Sequence, residues 1–75
     1  MYPYIKDVID MKEFSENLKK LRGEKGITQK ELADQVHVER STIAGWETKD
    51  RVPDVRILIK LAAVLDTTVD DLLKG

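Results

Sequence analysis

The stretch LKKLRGEKGITQKELADQVHVERSTIAGWE, Leu18 to Glu47, decides the fold. It reads as three short helices in a row, the second and third separated by a very tight turn. Leu18 and Leu21, with Phe14 just upstream, follow helical spacing and give helix 1 one buried stripe. Gly26 followed by apolar Ile27 is a stop signal, because Ile27 can fold back on Leu21. Thr28 and Glu31 have capping-box spacing, and Ile27 and Leu32 have the spacing of a hydrophobic staple, so helix 2 starts here. Leu32, Ala33 and Val36 face inward. The pattern breaks at His37-Val38 and resumes with Ile43 and Trp46 on helix 3, Arg40 to Glu47. Helices so close together must cross at a steep angle, and Ala33 is small where the next helix would cross.

Working outward, a polar loop follows from Thr48 to Arg51. Asp54, just after Pro53, is a good N-cap. Val55, Leu58, Leu61, Ala62 and Leu65 then form the strongest apolar stripe of the chain, helix 4. Thr68 starts a last short helix carrying Val69, Leu72 and Leu73. Upstream, helix 1 is expected to begin near Asp10, which has capping-box spacing to Glu13, with Ile9 stapled on Phe14. Residues 1–10 stand apart. Pro3 discourages a helix, while Tyr4, Ile5, Val8 and Ile9 could form a small apolar stripe. A partly ordered N-terminal arm is favoured there over a dimer-forming one. There is no strand signal, repeat or low-complexity segment. The expected fold is all-α and compact, five helices over residues 11–75.

Composition narrows the function classes. With 75 residues the core is near the lower limit of self-sufficiency. There is no cysteine and one histidine, which excludes disulfides and thiolate metal sites and argues against a histidine-based one, so no metal is expected. No cofactor or small-molecule ligand is expected. No apolar run approaches a membrane span of roughly 18 residues, and no signal peptide is visible, so a cytoplasmic, nucleoid-associated protein is the expectation. The formal charge of −1 and pI near 5.8 count against promiscuous nucleic-acid binding. The acids are unevenly placed, however, and the sign of one face matters more than the sum.

The features Leu18-x-x-Leu21-Arg22, Gly26-Ile27-Thr28-Gln29-x-Glu31-Leu32-Ala33, Ser41-Thr42-Ile43, Trp46-Glu47, Pro53 and Leu61-Ala62 come in a fixed order. On these the chain from Phe14 to Leu73 resembles the phage-repressor-like (Cro-type, lambda-repressor-like) helix-turn-helix family of transcriptional regulators. The resemblance implies a five-helix domain whose helices 2 and 3 form the helix-turn-helix. It also implies that helix 3 reads the DNA major groove, commonly in a homodimer.

On that reading Arg40, Ser41, Ala44, Gly45 and Thr48 lie on the face of helix 3 opposite Ile43 and Trp46. Arg40 is the leading base reader, since a guanidinium can bond guanine O6 and N7 together. Its alternative is a surface arginine that touches only phosphate. Ser41 and Thr42 can reach bases or phosphates, and Ala44 offers a methyl group to thymine. Gly45 is either a point of close backbone approach or a missing reader. The resemblance implies that Gln29 binds a phosphate and braces Arg40, beside the positive end of helix 2 formed by Thr28, Gln29 and Lys30. Lys49 and Arg51 look like phosphate clamps in the loop, against a plain charged turn. The resemblance further implies a partly buried salt bridge between Arg22 and Glu47, and Trp46 is expected in the core.

Two positions depart from the family pattern. The turn between helices 2 and 3, commonly glycine, carries His37, which must then take the left-handed conformation itself. Glu39 stands where serine or threonine is usual, as a poor N-cap and a charge that repels phosphate. The leading expectation is a sequence-specific DNA-binding regulator, a repressor, that reads an inverted repeat as a homodimer and is no enzyme. With no separate effector domain in these residues, control would come from concentration, proteolysis or a partner. The alternative is a protein-interaction module on the same fold, such as an antitoxin or anti-repressor with weak DNA binding. His37 and Ser41 as an enzymatic pair lack any oxyanion site or phosphate loop.

Overall fold

The computed structural model describes residues 11–48 and 51–74. The N-terminal arm, the Asp10 cap, the Ile9 staple and Lys49 lie outside the described residues. Five helices are present: α1 (Met11–Lys25), α2 (Gln29–Val36), α3 (Arg40–Glu47), α4 (Val55–Val64) and α5 (Val69–Leu73). No described residue is in a strand.

Local chemistry sets most of the boundaries. The Thr28 hydroxyl accepts from the Glu31 amide at 3.0 Å while the Glu31 carboxylate accepts from the Thr28 amide at 2.8 Å, so the capping box of α2 is complete. Asp54 caps α4 by accepting from the Ile57 amide, and Thr68 caps α5 by accepting from the Asp71 amide. Three helix ends turn through a left-handed residue: Gly26 at φ 75°, His37 at φ 62° and Asp66 at φ 60°. In each case the next residue's amide bonds back to a carbonyl five positions earlier, Ile27 to Arg22, Val38 to Ala33 and Thr67 to Ala62. His37 therefore fills the glycine position of the turn, as expected. Asp66 does the same at the end of α4 without having been anticipated.

The helices pack in a closed cycle. α1 lies on α3 and α5, α3 on α2, α2 on α4, and α4 on α5. Phe14, Leu18, Leu32, Val36, Ile43, Trp46, Leu58, Leu61, Leu65 and Leu72 fill the centre with two alanines, Ala33 and Ala62. Leu21 is only half-buried at the margin of this core. The expected inward stripe of α4 needs one correction, because Val55 is 60% exposed. It shares a side of the helix with Ala62, but it is the first residue of α4, and helical side chains tilt toward the N-terminus. Its side chain thus leans past the edge of the core. Ile59, one turn on, is 56% exposed, so α4 carries a short exposed apolar stripe along one edge of its buried face.

The apolar ridge of α1 has a polar residue on each flank. Ser15, fully buried, donates its hydroxyl to the Trp46 carbonyl of α3 at 2.7 Å. On the other flank the Asn17 amide donates to the carbonyls of Asp71, Leu72 and Lys74. That one side chain gathers the unsatisfied carbonyls at the end of α5, the need every helix C-terminus has.

Candidate nucleic-acid interface

α3 carries Arg40, Ser41, Thr42, Ala44 and Gly45 of the residues singled out by sequence, and its C-terminal half is built into the domain. Ile43 and Trp46 are buried. The Glu47 side chain is 3% exposed and takes both prongs of the Arg22 guanidinium, from Nε at 2.6 Å and from Nη2 at 3.1 Å. Arg22 also donates to the Ile27 carbonyl at 2.8 Å. The bond to Glu47 raises the guanidinium's pKa above its ordinary value. A two-pronged pair of this kind fixes orientation as well as charge. The Arg22–Glu47 bridge implied by the resemblance is thus present, with its carboxylate buried.

Gln29 extends this network to the outside. Its amide nitrogen donates to Glu47 Oε1 at 3.1 Å, and its amide oxygen accepts from Arg40 Nη1 at 3.2 Å. A continuous path of side chains therefore runs from Arg22 in α1 through Glu47 and Gln29 to exposed Arg40. Both ends of the Gln29 amide are engaged within the domain, so bracing Arg40 is the part of its expected role that the geometry displays.

The remaining residues divide. Arg40 and Ser41 are exposed, whereas Thr42, Ala44 and Gly45 are half-buried along the side of α3. Thr48 is exposed, but its hydroxyl donates to the Gly45 carbonyl at 3.0 Å and serves the helix end. Lys30 pairs with Asp34 at 3.3 Å on the surface of α2, an exposed contact worth well under about 1 kcal/mol and readily exchanged. Arg51 is exposed and, with Ser41, Thr42 and Gly45, lines a shallow hollow of about 200 Å³ beside α3. Glu39 occupies the N-cap of α3 and makes no side-chain capping bond. Its poor fit as a cap, read from sequence, is what the structure displays. A larger hollow of about 370 Å³ lies between α1 and α5. Much of its polar lining is engaged: Asn17 holds the α5 carbonyls, and Lys74 pairs with Asp71, drawing that carboxyl below its usual range.

Sequence reasoning missed Ser15 and Asn17. Ser15 and Arg22 are seven residues apart, two turns on one side of α1, and both engage the end of α3. A polar pair at that spacing beside an apolar stripe was the available signal. Among the described residues no group of histidines and carboxylates could hold a metal ion, and no helix is long and apolar enough to cross a membrane.

Known proteins share this sequence pattern and this fold. The helix-turn-helix family pattern fits residues 18–72. The chain belongs to the helix-turn-helix family. It is 44% identical over 62 residues to the HTH-type transcriptional regulator YqaE of Bacillus subtilis, covering 83% of this chain and 53% of that protein. It is 38% identical over 63 residues to the HTH-type transcriptional activator BcrR of Enterococcus faecalis, covering 84% of this chain and 31% of that protein. The chain thus matches only about a third to a half of these relatives' length. Among solved structures it is similar to the restriction-modification controller protein C.AhdI of Aeromonas hydrophila. That match has a TM-score of 0.79 and 33% identity, covering 85% of this chain and 97% of the other. The match to the regulator ClgR of Corynebacterium glutamicum, TM-score 0.78 at 22% identity, attests to the fold. The all-α, lambda-repressor-like architecture expected from sequence is therefore the architecture found.

Proposed function

We propose that this helix-turn-helix protein is a sequence-specific DNA-binding transcriptional regulator, a repressor, that reads the major groove with α3. One observation carries the reading. α3 is fastened at its C-terminal end by Trp46, Glu47 and the Ser15 bond, while Arg40 and Ser41 at its N-terminal end are exposed and Arg40 is braced by Gln29. A helix held in this way presents a fixed donor set to base edges. Arg40 is the principal reader; Ser41, Thr42, Ala44 and Gly45 supply the rest of the contact surface. Thr28, Gln29 and Lys30 at the start of α2, with Thr48 and Lys49 after α3 in sequence, are assigned to phosphate contact, and Arg51 belongs to the same DNA-contacting surface. Repression follows sterically, since a domain seated in the groove occupies a promoter that overlaps its site.

A homodimer on an inverted repeat, its two recognition helices about 34 Å apart, completes the proposal. The exposed Val55 and Ile59 on α4 are the large apolar side chains a second copy would cover. Ile59→Asp is expected to shift sedimentation to the monomer and weaken binding to a full site more than to a half-site.

The test of the function is selection of bound sequences from a random DNA pool at two salt concentrations. An inverted repeat should emerge, and affinity should fall steeply with salt as counterions are released. Weak, salt-insensitive binding with no enriched sequence would reject the proposal in favour of a protein-interaction module on the same fold.

A further inference from the structure

Gly45 is one of the four residues that line the hollow beside α3. Positions 41, 42 and 45 are surface neighbours on a helix, so any side chain at 45 would project between Ser41 and Thr42. Glycine inside a helix costs about 1 kcal/mol relative to alanine, so the bare position is not the choice of helix stability. The fourth wall of the hollow is Arg51, which comes from the loop rather than from the helix.

Arg51 differs from the other three arginines. Arg22 pairs with Glu47, Arg40 bonds to Gln29, and Arg56 lies 3.8 Å from Asp54. Among the described residues Arg51 has no such partner. Its backbone is nonetheless restrained from the C-terminal side. Val52 packs against the core, Pro53 has a fixed φ, and Asp54 caps α4. A guanidinium with no salt-bridge partner among the described residues is thus carried on an anchored stem beside the hollow.

We propose that Arg51 is a second base-reading residue, its guanidinium working in the space left by Gly45 and donating its two-pronged fork to a guanine edge. This rests on the proposed reading of DNA by α3. Gly45 is five residues past Arg40, ~140° around the helix and ~7.5 Å along it. The two arginines therefore flank opposite margins of the exposed surface and read different base pairs, separated by about two steps of ~3.4 Å. A phosphate offers the same acceptor chemistry. The base edge is favoured because the hollow lies in the wall of α3 itself, where bases approach if the helix occupies the groove.

The test compares the sequences selected by the wild-type protein, R51A, R51K and G45Q from one random pool, with salt dependence measured for each. R51A is expected to lose preference at one position per half-site by roughly 5- to 150-fold while the position read by Arg40 is retained. R51K keeps the charge without the planar fork, so it should lose the same preference with its salt slope unchanged. G45Q fills the hollow and should replace that preference with a different one. Uniformly weaker binding of an unaltered motif by R51A, with the salt slope reduced by about one, would make Arg51 a phosphate clamp and overturn the inference. If the wild-type protein itself enriches no motif, the reading of DNA fails first; that outcome is distinct from an unaltered motif in R51A.

Discussion

The C-terminal end of α3 is held by a buried tryptophan, a two-pronged ion pair and a buried hydroxyl bond, all reaching across to other helices. The N-terminal end has no side-chain cap, begins three residues after a left-handed histidine, and keeps one outward bond, Arg40 to Gln29. α2, of the same eight-residue length, has a complete capping box at its start. The contrast teaches that α3 is positioned by tertiary anchors at one end, which frees the other end from structural duty. Uncommitted donors there are available to a ligand. A helix capped at both ends would be more stable and have fewer groups to offer.

The largest break in this asymmetry should come from Glu47→Ala, which strands Arg22 and Gln29 around an empty site. A loss of about 3 kcal/mol is expected in urea unfolding. A loss below about 1 kcal/mol would mean that Trp46 alone fastens the helix. Ser15→Ala is next: removing the donor to the Trp46 carbonyl should cost about 1 kcal/mol. Amide exchange should show whether the added opening is confined to the α1–α3 contact. Glu39→Thr works on the loose end in the opposite direction. A proper N-cap should add about 1 kcal/mol, and removing the negative charge should also tighten DNA binding. Greater stability with unchanged affinity would place Glu39 away from the phosphates. The smallest effect on stability is expected for Arg40→Ala, with the thermal midpoint nearly unmoved but discrimination between related sites lost. Retained discrimination would remove Arg40 from the reading surface.

How much of this was legible before the structure depended on the kind of partner involved. The Thr28 box, the Asp54 cap and the Thr68 helix start all join residues three apart, so spacing alone displays them. The Arg22–Glu47 bridge spans 25 positions and was available only through family resemblance. Ser15 and Asn17 bond to backbone carbonyls 31 and 54–57 positions away. A carbonyl has no letter in the sequence, so the partners could not be read, although the spacing of Ser15 and Arg22 marked that side of α1. Val55 failed differently: its period was right, but the core ended before the helix did. At the candidate interface, exposure and bracing of Arg40 followed from the motif. The commitment of the Thr48 hydroxyl to its own helix and the hollow shared by Gly45 and Arg51 required coordinates.

The closed cycle of helix contacts has a consequence for how the domain comes apart. In a linear stack an end helix can detach at small cost. Here each helix leans on two others, and α5, which would otherwise fray, is tied to α1 through Asn17. Freeing α3 therefore opens the cycle at α1 and at α2 together, and the rest has little reason to stay folded. Unfolding should be all-or-none, with the slowest-exchanging amides of all four longer helices reporting one common free energy. The surface offered by α3 is then present whenever the protein is folded at all, so binding there requires no prior ordering of the helix.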